Sequence, residues 1–151
     1  MSSSSSSIDK KVITYIPNRN EYLKLLKLNP GLIIVKFGAS WCQPCRLIKH
    51  VVDAFFATSP KNVVCVEIDV DECTDLYAFL KSKRMINGIP AIFCYKKHNT
   101  NYAPDDCITG ADPTNLHAFF KRCGKYIGDI EKVKHAMPFI KPVDMTTSHT
   151  W

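Results

Sequence analysis

The chain has 151 residues, which suits one domain with modest tails; a domain of this size buries roughly two-thirds of the surface its unfolded chain exposes and needs no disulfide staples to fold. Composition is that of an ordinary globular protein, with 46% hydrophobic and 23% charged residues, and no apolar run approaches the roughly 18 residues that would span a bilayer. The formal charge of +6 comes from lysines scattered along the chain, without an arginine-rich arm or zinc-finger spacing, so neither nucleic acid nor a membrane is an expected partner.

Met1 to Ser7 is a low-complexity serine tract, predicted to be disordered. The stretch from Met1 to Lys11 has neither the apolar core nor the basic leader of a secretory signal, which points to a reducing, cytoplasmic setting. Val12 to Tyr15 is a short β-rich run, and Arg19 to Lys27 places Tyr22, Leu25 and Leu26 on one helical face. After the turn signal Asn29-Pro30-Gly31, the unbroken apolar run Leu32 to Val35 predicts a strand covered on both faces. Ile48, Val51, Val52, Phe55 and Phe56 follow at i, i+3, i+4, i+7 and i+8, the pattern of an amphipathic helix. Val63 to Asp69 reads as a second buried strand, and Leu76, Phe79 and Leu80 mark another helix. This alternation implies parallel strands joined by helical crossovers. Ala91 to Tyr95 and Cys107 to Thr109 read as a hairpin with a long polar loop. Asp112 is the candidate N-cap of a last helix with Leu116, Phe119, Phe120 and Cys123 on its face and Gly124 and Gly128 as stops. A short helical face of Ile130, Val133 and Met137 follows, ended by Pro138 and Pro142. The expected division is a serine-rich end (1–11), one folded domain (12–125) and a C-terminal extension (126–151) that packs on its own domain.

Seven cysteines, an odd number, argue against a complete disulfide framework. Cys65, Cys94, Cys107 and Cys123 lie on apolar faces and are expected to be small core residues. Cys73, at a loop-to-helix junction, is read as inert, against the alternative of an exposed regulatory thiol. The informative pair is Cys42-Gln43-Pro44-Cys45 at a strand-to-helix junction. Thiols so spaced can close a disulfide across one helical turn. Cys42 would sit at the helix N-terminus, where unpaired N–H groups and the helix dipole favour a thiolate, the attacking species in disulfide exchange. Cys45, one turn deeper, would resolve the mixed disulfide, with Trp41 limiting access from one side. Pro44 fits near the helix start, where its missing N–H costs nothing. Neither the remaining cysteines nor the five histidines form the second paired motif that a structural zinc site needs, so no metal is expected.

Trp41-Cys42-Gln43-Pro44-Cys45-Arg46 is similar to the active-site signature of the thioredoxin family. Ile89-Pro90 places its proline 45 positions after Cys45, where that family keeps a cis-proline facing the disulfide. Phe37, Ala39 and Gly110 fall where members have a core aromatic, a small residue and a substrate-groove glycine, and Glu67 to Asp71 resembles the third strand of animal-type members. The resemblance covers Val12 to Lys125. It implies an α/β thioredoxin fold, a central mixed five-stranded sheet flanked by four helices, with short extensions at both ends. It also implies exchange with protein disulfides through a redox-active Cys42–Cys45 pair and no other cofactor. The surface of Trp41, Gln43, Pro44, Ile89, Pro90 and Gly110 would grip the substrate chain, and a thioredoxin reductase or a small thiol would supply electrons.

Two positions depart from the family pattern. Gln43 stands where thioredoxins usually have glycine, in the dipeptide that tunes reduction potential. Lys36 replaces a buried aspartate six residues before the first cysteine, and Glu67 occupies the matching position of a lysine found in bacterial members. A swapped pair is therefore expected, with Lys36 favouring the Cys45 thiolate and Glu67 accepting the proton; the plainer reading is that Lys36 reaches the surface. The rival functions are a binding module with little turnover and a net oxidase or isomerase.

Overall fold

The computed structural model describes residues 10–147, with side chains described as far as residue 130. The serine tract and the side chains of Val133 and Met137 lie outside that description.

Strand β2 (Leu32–Gly38) is buried at all seven positions, because it is the middle strand of five. It pairs in parallel with β3 (Val63–Asp69) and antiparallel with β4 (Ala91–Lys96). Strand β1 (Val12–Ile13) continues the parallel side and β5 (Asp106–Thr109) the antiparallel side, giving the order β1-β3-β2-β4-β5. The mixed sheet and the hairpin of the last two strands match the sequence reading.

Helices cover both faces. Successive side chains of a strand point to opposite faces, so β2 feeds two cores. Ile33, Val35 and Phe37 join Tyr22 and Leu26 of α1 (Arg19–Lys27) and Leu76 and Leu80 of α3 (Thr74–Ser82). Leu32 and Ile34 join Ile48, Val52 and Phe56 of α2 (Gln43–Thr58) and Leu116, Phe119 and Cys123 of α4 (Pro113–Thr147). The next residue on the second face of β2 is Lys36, a cation where the pattern calls for another apolar side chain. Asn18 caps α1 by accepting the Glu21 N–H at 2.9 Å, and Asp112 caps α4 by accepting the Asn115 N–H at 3.0 Å, as expected for Asp112.

Two expectations are corrected. The last helix does not stop at Gly124 or Gly128, nor at Pro138 or Pro142; its backbone is helical to Thr147. A helical glycine costs only about 1 kcal/mol relative to alanine, and Tyr126 and Ile127, beyond Gly124, and Ile130, beyond Gly128, pack on the core. The expected division after Lys125 thus falls inside a continuous helix. The second correction is Cys107, which is exposed, not buried. Alternation along the edge strand β5 gives the buried side to Ile108 and turns Cys107 outward. Cys73 is buried, and burial pushes its thiol up, in keeping with the inert reading.

Candidate redox site

Strand β2 ends at Gly38, and the chain turns through Ala39, Ser40 and Trp41 into α2. The turn is braced by Cys42 N–H donating to Ala39 O at 3.1 Å and by the Arg46 guanidinium donating to Ser40 O at 2.7 Å. Cys42 has extended backbone angles and is the N-cap residue of α2. Its sulfur accepts the Cys45 N–H at 3.2 Å, taking the place that a serine or aspartate oxygen usually fills at a helix start. Pro44 lies in the first turn, where no intrahelical N–H is needed.

Cys42 and Cys45 form a disulfide, with Cα atoms 5.3 Å apart, inside the usual range for such bonds. Each is about 5% exposed or less, whereas Gln43 and Pro44 between them are exposed. Trp41 is 65% exposed, and its indole N–H donates to the Asp71 carboxylate at 2.7 Å. An exposed aromatic plate, pinned at its polar edge, therefore stands beside a thinly covered disulfide.

The chain before β4 packs on the same apolar cluster. The Ile89-Pro90 bond is cis, Pro90 is buried, and Ile89 packs on the apolar cluster that includes Cys42 and Cys45. Gly110 N–H donates to Pro90 O at 2.8 Å, fastening the end of β5 to this segment. Gly110 has φ +99°, a backbone conformation that disfavours any side chain.

Behind the disulfide, Lys36 and Glu67 are register neighbours on β2 and β3. Their charged groups lie 3.5 Å apart, with the lysine side chain 4% exposed and the glutamate 31%. Lys36 thus does not reach the surface. Both residues line a cavity of about 400 Å³ shared with Gly38, Cys45, Arg46 and Lys49. A Cβ at Gly38 would lie 3.3 Å from the Cys45 sulfur and 3.9 Å from Lys36 Cε, so this glycine leaves the gap between them open. Lys49 is held protonated above the usual lysine range, chiefly by its hydrogen bond to Asp53 and next by Glu67.

Two contributors, Asp71 and Gly38, escaped the sequence reading. The run Glu67 to Asp71 holds three carboxylates, and nothing in its pattern singles out the one 30 positions from Trp41. The role of Gly38 depends on what lies over it, which spacing does not reveal. Among the described residues, no three His, Cys, Asp or Glu side chains gather as a metal site would require, and no helix is long and apolar enough to cross a membrane.

Residues 13–122 match the family model described as Thioredoxin. Thioredoxin from Coprinus comatus is 30% identical over 113 residues, which span 74% of this chain and 97% of that protein. Thioredoxin from Equus caballus is 37% identical over 92 residues, spanning 60% of this chain and 77% of its own length. The structure of Trichomonas vaginalis thioredoxin superposes with a TM-score of 0.58 at 26% identity, over 83% of this chain and 99% of that one. Mitochondrial thioredoxin 3 from Saccharomyces cerevisiae, in its oxidized form, gives 0.57 at 28% identity, over 73% and 94%.

Proposed function

This chain belongs to the thioredoxin family and is a thiol–disulfide oxidoreductase; from that premise we propose that it works as a reductase of protein disulfides through Cys42 and Cys45. The observation that carries the reading is the Cys42 sulfur at the head of α2, accepting a main-chain N–H at 3.2 Å. In the reduced protein the same N–H and the positive end of the helix would favour the Cys42 thiolate.

The thiolate attacks one sulfur of a substrate disulfide. A Cys42–substrate disulfide forms, and the other substrate sulfur leaves as a thiolate and takes up a proton. The substrate chain lies between Trp41 on one side and Ile89, Pro90 and Gly110 on the other, with Gln43 and Pro44 at the exposed rim. Cys45 then loses its proton and attacks Cys42; the mixed disulfide breaks and the second substrate thiol is released. Two electrons have passed to the substrate, and the Cys42–Cys45 disulfide remains as the only redox group the cycle requires. A thioredoxin reductase or a small thiol returns the electrons, as a reducing compartment such as the cytoplasm allows.

The test is reduction of insulin disulfides by the purified protein with a small dithiol as donor. Rapid precipitation of the insulin B chain that is lost in Cys42→Ser is the expected result. A folded wild-type protein no faster than the dithiol alone would refute the reading and favour a binding module. Direction is tested by the reduction potential: a value near about −270 mV, typical of thioredoxin, supports reduction, and one near about −180 mV, typical of protein disulfide isomerase, supports oxidation.

A further inference from the structure

We propose that Lys36 is a positioning residue that holds a positive charge beneath Cys45, so that Cys45 ionises more readily than an ordinary buried thiol and the reduced state of the site is favoured. The inference rests on Cys45 being the resolving thiol, as read above. Lys36 sets the charge state of that thiol and the direction in which the redox balance moves.

Period-two alternation puts Lys36 on the face of β2 that α2 covers, the face of Leu32 and Ile34. The side chain stays buried there at 4% exposure. An ammonium withdrawn from water needs a partner, and Glu67 supplies one at 3.5 Å. The lysine stem passes close to Cys45: the Cys45 sulfur and Lys36 Cε lie 3.3 and 3.9 Å from the point where a Gly38 Cβ would stand. The absence of a side chain at Gly38 leaves the two facing one another across an open gap.

The charged groups bordering this gap are Lys36 from β2, Arg46 and Lys49 from α2, Glu67 and Asp69 from β3, and Glu72 beyond β3. By count they cancel. By exposure they do not: Arg46, Lys49 and Glu72 are exposed, Asp69 is half-buried, and the Glu67 side chain is 31% exposed. Water and salt screen those charges, while a buried charge is screened much less. Lys36 is therefore the charge whose field reaches the sulfur least attenuated, and its sign favours the thiolate.

When Cys45 ionises, its proton passes into the cavity and on to solvent, along a path that includes the Glu67 carboxylate. The thiolate then attacks Cys42 and breaks the bond to the substrate sulfur. Stabilising a thiolate stabilises the reduced protein, which shifts the site toward oxidation of its partners. The same cation speeds resolution and raises the potential.

The experiment uses the full chain carrying Cys42→Ser, in which Cys45 is a thiol. The rate of carboxymethylation of Cys45 is followed by mass spectrometry against pH, alone and combined with Lys36→Met or Glu67→Gln. Lys36→Met is expected to move the Cys45 midpoint up by about one pH unit, a tenfold slower reaction below both midpoints. Glu67→Gln, which removes the opposing charge, is expected to move it down. In the protein with both cysteines, above both midpoints, Lys36→Met should shift equilibrium with glutathione about tenfold toward the disulfide, or about 30 mV. An unchanged or lowered midpoint in a folded Lys36→Met protein overturns the proposal, as do shifts of both variants in one direction, which would be a packing effect. Should Lys36→Met fail to fold, Glu67→Gln decides: a downward shift sustains the proposal, and no shift overturns it. Insulin reduction by the wild type is independent of this titration, so failure of the reductase reading and failure of the Lys36 assignment are separate results.

Discussion

Trp41 shows how one hydrogen bond sets a surface. An indole 65% exposed is free to turn unless something holds it, and the 2.7 Å bond to Asp71 does so. Asp71 itself is braced, its N–H donating to the Asp69 carboxylate at 2.8 Å. Exposed polar contacts of this kind contribute about 1 kcal/mol or less. Asp71→Ala should therefore lower kcat/KM for insulin reduction by about fivefold or less, mainly by weakening substrate capture, while the melting temperature hardly moves. A loss of several hundredfold would mean that Asp71 takes part in the chemistry and does not merely hold the indole. At this scale the sequence was legible where chemistry depends on local spacing. Cys42, Pro44 and Cys45 are neighbours on one turn, so their pattern predicts their geometry. The Trp41–Asp71 bond and the gap at Gly38 join positions far apart in the chain, and no local pattern contains them. The pairing of Lys36 with Glu67 was foreseen only because a departure from a family pattern pointed to it; the depth of its burial came from the sheet.

Helices α1 and α3 lie on one face of the sheet and are tied at their starts. Arg19 at the head of α1 donates to Asp75 in the first turn of α3 from its main-chain N–H and from two guanidinium nitrogens, at 2.9, 3.2 and 2.7 Å. These bonds, the guanidinium ones first, hold the Asp75 carboxyl down at about 2, below its ordinary value of 3.8. A carboxyl lowered on folding stabilises the fold above its unfolded value and loses that contribution as pH falls through its folded one. The tie is fully present above about pH 4 and disappears toward about pH 2. The thermal midpoint of Asp75→Asn should thus lie below wild type at neutral pH, and the gap should close between those limits. A gap that persists at pH 2 would show that the aspartate acts through something other than its charge. Helix α4 illustrates the limit of stop signals. Gly124 and Gly128 are weak breaks, each worth about 1 kcal/mol, and apolar contacts further along the helix outweigh them. Helix starts were read more closely than helix ends, because a cap such as Asp112 is a specific local bond and a stop is only a local disadvantage.

The two apolar layers back onto one sheet whose middle strand is wholly buried, so neither layer can open without exposing strands that the other layer also covers. Four thiols serve as probes of that coupling. Cys73 belongs to the layer under α1 and α3, and Cys65, Cys94 and Cys123 belong to the layer under α2 and α4. The Cys94 thiol meets Cys123 there, and that contact, together with burial, pushes Cys123 far up. All four are about 1% exposed or less, whereas Cys107 is exposed. Alkylation of the native protein with its active-site disulfide intact should therefore modify Cys107 first. Partial burial, with Asp106 next to it, raises that thiol, so its rate at neutral pH should trail that of a free thiol. The four buried thiols should react only through unfolding, and if the layers open as one unit, their protection should fall in parallel as denaturant is added. Mass-spectrometric labelling across a denaturant series checks this. Early labelling of Cys73 alone would show that α3 opens by itself, and the layer under α1 and α3 could then rearrange without loss of the core beneath α2. Parallel labelling would mean that the disulfide is presented on a rigid frame, and that specificity must come from the side chains around Trp41 and Pro90 and not from movement of the elements that carry them.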